Sequence, residues 1–296
     1  MKIEKYAAID IGSNAIRVLI ANIITQKNGN VNFYKNALVR VPIRLGEDTF
    51  NIGKISRANI KRIIKAMKAF KLIMKVHGVL DFNAYATSAL REAKNGSFIT
   101  MIVKDKTGIE IEIINGKKEA ELISSIDFFK RLNKNKNFLF VDVGGGSTEL
   151  AILQNGKRIV AKSFKIGTVR LLNKRISKTM WNKVKDWIVK ETICFDKISL
   201  LGTGGNINKI HKITQTKEDK PLSLAVLNNF YQNISSLSYS ERIIRYQLNP
   251  DRADVILPAS EIFLRSMEWS NASKIYVPKV GLSDGMIEEL YRSRND

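Results

Sequence analysis

The sequence predicts an α/β fold made of two related domains. A buried strand, an Asp-x-Gly turn and a second strand occur in that order around Asp10 and again around Asp142. Elsewhere, short apolar runs alternate with amphipathic helical segments, which is typical of α/β sheets. The 296 residues are enough for two ordinary domains. We therefore expect two α/β domains with a ligand cleft between them.

The stretch around Asp142 indicates phosphate chemistry. Three glycines and two hydroxyl residues follow the apolar strand that ends at Asp142, and a second apolar strand continues past Glu149. Glycines let the backbone approach a ligand, and successive N–H groups in such a turn can bind an anion. Carboxylates such as Asp142 and Glu149 are ligands that Mg²⁺ prefers. The simpler alternative is a glycine-rich hairpin with one acidic cap.

The stretch around Asp10 has the same order of residue types. When Asp10 is aligned on Asp142, Gly12 falls on Gly144 and the two small polar turns coincide. A repeat of this length indicates a duplicated domain, because solenoid repeats are much shorter.

Composition excludes several classes of protein. The chain is 44% hydrophobic and 26% charged, as in globular proteins. It has no apolar run of about 20 residues, and no apolar signal segment precedes the first strand. Cys194 is the only cysteine, which fits a cytoplasmic location without intrachain disulfides. One cysteine and two distant histidines also exclude a Cys/His zinc site.

The net charge of +21 has two explanations of equal weight. Such a charge attracts polyanions, among them nucleic acid, polyphosphate and highly phosphorylated nucleotides. It is also explained by a general compositional bias toward lysine. No nucleic-acid-binding motif accompanies the charge, so we do not expect a nucleic-acid partner.

In the first half, a strand over Val31–Val41 and a loop over 42–53 precede a helix capped by Ser56. A stripe of lysines on this helix is most often only a solvated surface. Arg91 follows the strand that begins at Asp81, where it is either a phosphate ligand or part of a surface ion pair. Glu119 lies in the first turn of a further helix, and position alone favours a helix-dipole role for it.

The second half repeats the alternation of strands and helices after a basic hinge at 130–137. A third glycine turn, containing Gly204 and Gly205, opens a helix and suits phosphate binding, although the signal is weak. We place the first domain at 1–124 and the second at 125–296. The last helix, about 283–293, is a candidate to pack back on the first domain.

Motifs over nearly the full length resemble the exopolyphosphatase/guanosine pentaphosphate phosphohydrolase (Ppx/GppA) family of the actin/Hsp70/sugar-kinase superfold. The resemblance implies two actin-like (ribonuclease H-like) domains. The motifs begin at Asp10, Thr87, Asn115, Asp142, Gly167, Gly202, Asn249 and Gly281.

The resemblance assigns roles to these residues and reverses the interpretation of Glu119. Glu119 matches a catalytic glutamate proposed to orient or deprotonate water, and Arg91 matches an arginine that contacts phosphate. Asp142 and Glu149 match the Mg²⁺ site, and Asp10, which matches another cleft carboxylate, is a further candidate metal ligand. The phosphate-binding turns match Ser13, Asn14, Gly144, Gly145, Gly146, Ser147 and Thr148.

Two departures from the family pattern affect these expectations. Lys118 stands where a carboxylate usually precedes the catalytic glutamate. Longer members also carry a C-terminal helical domain that this sequence does not match, so we do not rely on processive handling of long chains.

The leading hypothesis is a Mg²⁺-dependent hydrolase that releases terminal phosphate from inorganic polyphosphate or the 5′-phosphate of guanosine pentaphosphate. The expected binding partners are polyphosphate and guanosine penta- or tetraphosphate. The alternatives are an ATP-dependent actin-like kinase and a regulator that binds polyphosphate or alarmone without hydrolysis. The resemblance further implies a homodimer, and we expect no membrane partner.

Overall fold

The computed structural model describes residues 1–124, 126, 136–173, 176–217 and 220–295. The chain divides into one compact unit of Met1–Ile126 with Leu282–Asp296 and a second unit of Asp127–Gly281. The predicted boundary at 124/125 and the predicted cleft between the domains stay predictions. Most of the predicted hinge at 130–137 lies outside the described residues.

The first unit contains a five-stranded sheet in the order β3-β2-β1-β4-β5. The strands β1 to β3 form an antiparallel meander, while β4 and β5 add in parallel beyond β1. The strand bounds are β1 Lys2–Ile11, β2 Ile16–Thr25, β3 Val31–Val41, β4 Asp81–Ala86 and β5 Glu112–Ile113.

Helices lie on both faces of the first sheet. Ile9 on β1 belongs to a buried cluster with Phe70 and Val103 from two helices on one face. On the other face, Tyr6 meets the ring of Tyr291 from the last helix edge to face at 6.0 Å. The helix bounds are α1 Leu45–Ile52, α2 Arg57–His77, α3 Ser88–Glu92, α4 Gly96–Thr107, α5 Gly116–Ser124 and, from the end of the chain, α13 Leu282–Asn295.

The second unit contains a six-stranded sheet in the order β10-β11-β9-β6-β7-β8. Its strands are β6 Asn137–Val143, β7 Thr148–Gln154, β8 Lys157–Phe164, β9 Ile198–Thr203, β10 Leu222–Ser223 and β11 Lys274–Tyr276. Its helices are α6 Thr168–Leu172, α7 Lys178–Thr192, α8 Gly205–Ile213, α9 Leu224–Ser235, α10 Tyr239–Tyr246, α11 Pro250–Ala253 and α12 Ile256–Ser270.

The two sheets repeat one topology, and the predicted fold class is confirmed. In each sheet, three antiparallel strands are followed by parallel strands that add beside the first strand of the meander, and the second sheet also has an antiparallel edge strand, β10. Within the described ranges, no helix combines the length and the apolar character needed to cross a bilayer.

The predicted loop at 42–53 contains helix α1, which the sequence analysis missed. Arg44 enters this helix in a left-handed conformation at φ 59°, and Gly53 ends it at φ 75°. Only eight residues long, α1 is short for a helix to form by itself. Tertiary contacts to the preceding turn, described below, stabilise it.

Candidate functional site

The turn between β1 and β2 is held by the chain that follows β3. The Gly12 N–H donates to the Ala15 carbonyl at 3.1 Å and closes the turn. The Ser13 and Asn14 carbonyls accept from the N–H groups of Gly46 and Arg44, at 2.7 and 3.0 Å. In a trans peptide, the N–H points opposite to the preceding carbonyl. The two N–H groups that follow these carbonyls therefore point away from α1.

The predicted phosphate ligand Ser13 is buried in this turn. Its hydroxyl lies 2.9 Å from the hydroxyl of Ser88, which begins α3. A hydroxyl pair can exchange donor and acceptor roles, so either group can turn a proton toward a ligand. Asn14 belongs to the same turn, and both residues stay predicted phosphate ligands.

Asp10 forms an ion pair with the residue opposite it in the hairpin. The strand register places Asp10 across from Arg17, and Arg17 Nε is 3.0 Å from Asp10 Oδ2. Burial raises the pKa of the Asp10 carboxyl, and the positive charge of Arg17 opposes that rise. The guanidinium neutralises the carboxylate that the sequence analysis assigned to the metal. A metal role for Asp10 stays a prediction.

Arg91 and Glu119 lie side by side in the first unit. Arg91 Nη1 donates to the Ile114 carbonyl at 2.6 Å and lies 3.6 Å from Glu119 Oε2. The Asn115 side chain caps α5 by accepting from the Lys118 N–H at 2.8 Å. Glu119 is only 7% exposed. The Arg91 guanidinium therefore lies beside the Glu119 carboxylate, and a general-base role for Glu119 stays a prediction.

Lys118 does not leave an extra positive charge beside Glu119. Its ammonium group pairs with Glu289 of α13, which also accepts from the Tyr85 hydroxyl at 2.9 Å. Helix α13 meets α5 closely at Gly285, where a Cβ would lie 2.1 Å from the Leu122 carbonyl. The departure from the family pattern is therefore accommodated by the C-terminal helix.

In the second unit, the turn between β6 and β7 has three carbonyls clamped in a row. Gly144, Gly145 and Gly146 accept from Thr168 N–H at 3.0 Å, Val169 N–H at 2.8 Å and Arg170 Nε at 2.6 Å. No peptide bond among the described residues is cis. The N–H groups of residues 145, 146 and 147 therefore point together away from α6, which is the arrangement that binds anions.

The close approach of α6 to this turn requires a glycine at position 167. A Cβ on Gly167 would lie 2.6 Å from the backbone of Gly145 and Gly146. The Thr148 hydroxyl donates to the Ile166 carbonyl at 2.6 Å and is almost fully buried, so it stabilises this connection. A direct phosphate contact by Thr148 stays a prediction, as it does for Ser147.

Asp142 and Glu149 face each other across β6 and β7. Asp142 Oδ1 accepts from the Thr203 hydroxyl at 2.6 Å, and Glu149 Oε1 accepts from the Ser163 hydroxyl at 2.9 Å. Hydroxyls that support carboxylates in this way are typical of metal sites.

This donor set fits Mg²⁺, which usually takes one or two carboxylates together with waters and substrate phosphates. Within the described ranges, no three His, Cys, Asp or Glu side chains form a larger metal-binding group. A Mg²⁺ site at Asp142 and Glu149 stays a prediction.

The third glycine turn lies against the end of β6. Gly204 has φ +106°, and a Cβ there would lie 3.1 Å from the Val143 carbonyl and 3.3 Å from Asp142 Oδ1. The Gly205 carbonyl accepts from Arg252 Nη1 at 3.0 Å. The structure thus brings Gly204 next to the carboxylate pair, while phosphate binding by Gly204 and Gly205 stays a prediction.

Sequence reasoning gave no role to several supporting residues. The register of the first hairpin could have identified Arg17 as the partner of Asp10, because hairpin partners are equally distant from the turn. Thr203 directly precedes Gly204 and Gly205 of the third glycine turn, which was predicted to bind phosphate. Ser163 and Ser88 carry no signal in the sequence, since only the folded chain brings them to their partners.

Comparison with known proteins assigns the chain to a family. The model of the Ppx/GppA phosphatase family matches residues 23–294. A protein from Aquifex aeolicus described as a Ppx/GppA family member has a crystal structure that superposes with a TM-score of 0.76, at 25% identity over 100% of both chains.

Two curated relatives differ in length. The bifunctional 3-dehydroquinate synthase/phosphatase of Fusobacterium nucleatum is 30% identical over 93% of this chain, which spans only 46% of that relative. A putative exopolyphosphatase of Haemophilus influenzae is 23% identical, and the match covers 98% of this chain and 93% of that protein. With the family model matching most of its length, this chain belongs to the Ppx/GppA phosphatase family.

Proposed function

We propose that this chain is a hydrolase that releases the terminal phosphate of inorganic polyphosphate, with the 5′-phosphate of guanosine pentaphosphate as the alternative substrate. The observation that carries the proposal is the clamped turn of the second unit. Three consecutive N–H groups, at residues 145–147, point the same way beside two carboxylates. N–H groups suit phosphate oxygens and carboxylates suit a cation, and phosphoryl transfer uses both.

We assign proton transfer to Glu119. In the proposed reaction, Glu119 accepts a proton from water as the water oxygen bonds to the terminal phosphorus. The anhydride P–O bond breaks, and the shortened chain leaves with the electron pair on its terminal oxygen. Arg91, 3.6 Å from Glu119, supplies positive charge to the phosphoryl oxygens.

We assign Mg²⁺ to Asp142 and Glu149, with Asp10 as a further predicted ligand. When bound, Mg²⁺ neutralises developing charge on phosphate oxygens. The protein contributes the two carboxylates and the hydroxyls of Thr203 and Ser163 that orient them.

Polyphosphate is the favoured substrate for two reasons. The net charge of +21 suits a repeating polyanion, and a relative similar over most of its length is named a putative exopolyphosphatase. A cytoplasmic location and a homodimer remain part of the proposal.

Phosphate release from polyphosphate, guanosine pentaphosphate and ATP, each with Mg²⁺, tests this function. We expect release from polyphosphate, and release slower by about 10²–10⁴-fold from a Glu119→Gln variant. Transfer of phosphate from ATP to an acceptor, without simple hydrolysis, would instead indicate a kinase. Tight binding of polyphosphate or alarmone without phosphate release would indicate a regulator.

A further inference from the structure

Helix α2 carries a row of unpaired basic side chains along one side. We call Arg57, Lys61, Lys65, Lys68 and Lys75 the α2 stripe. Their spacing of three, four and seven residues places them on one side of the helix. All five are exposed, and within the described ranges none forms an ion pair.

All charged side chains of helix α2 are basic. Its 21 residues contain Lys and Arg at seven positions and neither Asp nor Glu. Like charges four residues apart, as at Arg57 with Lys61 and Lys61 with Lys65, destabilise a helix. An ordinary solvated helix surface relieves this repulsion with acidic residues at that spacing. A bound polyanion would relieve it here.

Acidic residues near the stripe are already paired with other lysines. On and after the neighbouring α4, Asp105 pairs with Lys106 at 3.0 Å and Glu110 pairs with Lys104 at 3.0 Å. Lys71, at the edge of the stripe, donates to the Thr107 carbonyl at 2.8 Å. These two acidic residues therefore have lysine partners outside the stripe.

The α2 stripe begins near the turn between β1 and β2, which holds the predicted phosphate ligands Ser13 and Asn14, and extends away from that turn. Arg62, in the second turn of α2, donates to the carbonyls of Pro42 and Ile43. The next residue in the chain, Arg44, donates its N–H to the Asn14 carbonyl of the turn between β1 and β2. At the other end, the His77 carbonyl accepts from Lys5 near the start of β1. At 1.5 Å per residue, the stripe spans about 27 Å.

We propose that the α2 stripe binds the body of a polyphosphate chain, outside the site that cleaves the terminal phosphate. This inference rests on the proposed function. A single row of cations suits a linear chain of phosphates. Nucleic acid fits less well, because single strands are usually held by stacking on aromatic side chains. The aromatic residue of α2, Phe70, is fully buried.

The test is direct binding of long-chain polyphosphate and of tripolyphosphate, without Mg²⁺ and therefore without turnover. The variant is Lys61→Gln, Lys65→Gln, Lys68→Gln and Lys75→Gln combined. Its matched control removes the same charge from α7 of the other unit. The control changes are Lys178→Gln, Lys183→Gln, Lys185→Gln and Lys190→Gln. Glutamine is a good helix former, and all eight positions are exposed.

We expect the α2 variant to raise Kd for the long chain by about tenfold or more at low salt. The slope of log Kd against log salt concentration should fall by about three to four for this variant, because each lost contact means that about one counterion fewer is released on binding. Binding of tripolyphosphate should be unchanged. The α7 control should lose much less affinity for the long chain.

Equal losses in the two variants would overturn the proposal, since only the net charge would then matter. Stripe-dependent binding of duplex DNA without stripe-dependent binding of polyphosphate would also overturn it, in favour of a nucleic-acid surface. Stripe-dependent polyphosphate binding by a chain that releases no phosphate would support the stripe while the proposed hydrolase function fails.

Discussion

The two strand-turn-strand elements share one backbone design and differ in the residue that is paired with the aspartate. In both, a glycine N–H closes the turn, at Gly12 and at Gly144, and the segment after the third strand binds the carbonyls of the turn. In both, an aspartate is the next-to-last residue of the first strand. Its partner in the register is Arg17 in the first unit and Glu149 in the second.

This difference matters for the proposed function, because the two pairs differ in charge. The pair of Asp10 with Arg17 combines opposite charges, whereas the pair of Asp142 with Glu149 combines two carboxylates. A turn of N–H groups attracts an anion, and a pair of carboxylates attracts a cation. We therefore expect the second unit to hold the metal and the first to supply the base, Glu119.

The largest expected effect is on Glu119, which belongs only to the first unit. Glu119→Gln should lower kcat by about 10²–10⁴, the range for loss of a general base, with KM and the Mg²⁺ requirement little changed. The measurement is phosphate release at saturating polyphosphate over a Mg²⁺ titration. Glu110→Gln, an exposed position in the same unit, is the control. Retention of more than roughly half the activity would rule out the assigned role.

The two cross-strand pairs, Asp10 with Arg17 and Asp142 with Glu149, should respond differently when a carboxylate is replaced by an amide. Asp142→Asn and Glu149→Gln should each raise the Mg²⁺ concentration needed for half-maximal activity by about 10–100-fold. Asp10→Asn is the matched change in the first unit, and we expect a smaller shift because Arg17 already neutralises that carboxylate. An equal shift for Asp10→Asn would place all three residues at the metal.

Gly46 and Gly167 lie where a helix approaches each turn closely, so substitutions at these two positions compare the packing of the two turns. Gly167→Ala should lower the free energy of unfolding by about 1–3 kcal/mol, because the new Cβ would meet immobile backbone at 2.6 Å. Gly46→Ala should cost less, because its shortest contact, 2.8 Å, is to the movable Phe50 ring. Chemical denaturation of both variants measures this difference. A larger loss for Gly46→Ala would contradict it.

The smallest expected effect concerns the contact of α13 with α5, which the second unit does not share. Glu289→Gln should cost about 0.2–1 kcal/mol, since the pair with Lys118 is partly exposed. Burial raises the pKa of the Tyr85 hydroxyl, and the hydrogen bond and charge of Glu289 raise it further. Ultraviolet titration should therefore find a lower pKa for Tyr85 in the variant. An unchanged Tyr85 titration would contradict this contact.

Much of the fold followed from local pattern. The strand over Val31–Val41 has the predicted bounds, and helix α2 begins at the predicted cap, Ser56. Both were predictable because residue alternation and capping residues are local signals. Helix α1 was missed, since its stability depends on contacts with a turn about 30 residues earlier in the sequence. Helix α6 was missed for the same reason, as it is defined by its approach to the glycine turn.

The sequence by itself determined the repeated Asp-x-Gly turns, the glycine content of the second turn and the family to which these motifs belong. Each of these motifs is a run of a few neighbouring residues, so it can be recognised without the tertiary structure. Only the tertiary structure decided the direction of the turn N–H groups, because segments beyond a third strand bind the carbonyls. It also decided that Glu289, from the end of the chain, neutralises Lys118 beside Glu119. Such pairings depend on how distant segments pack, which local pattern does not encode.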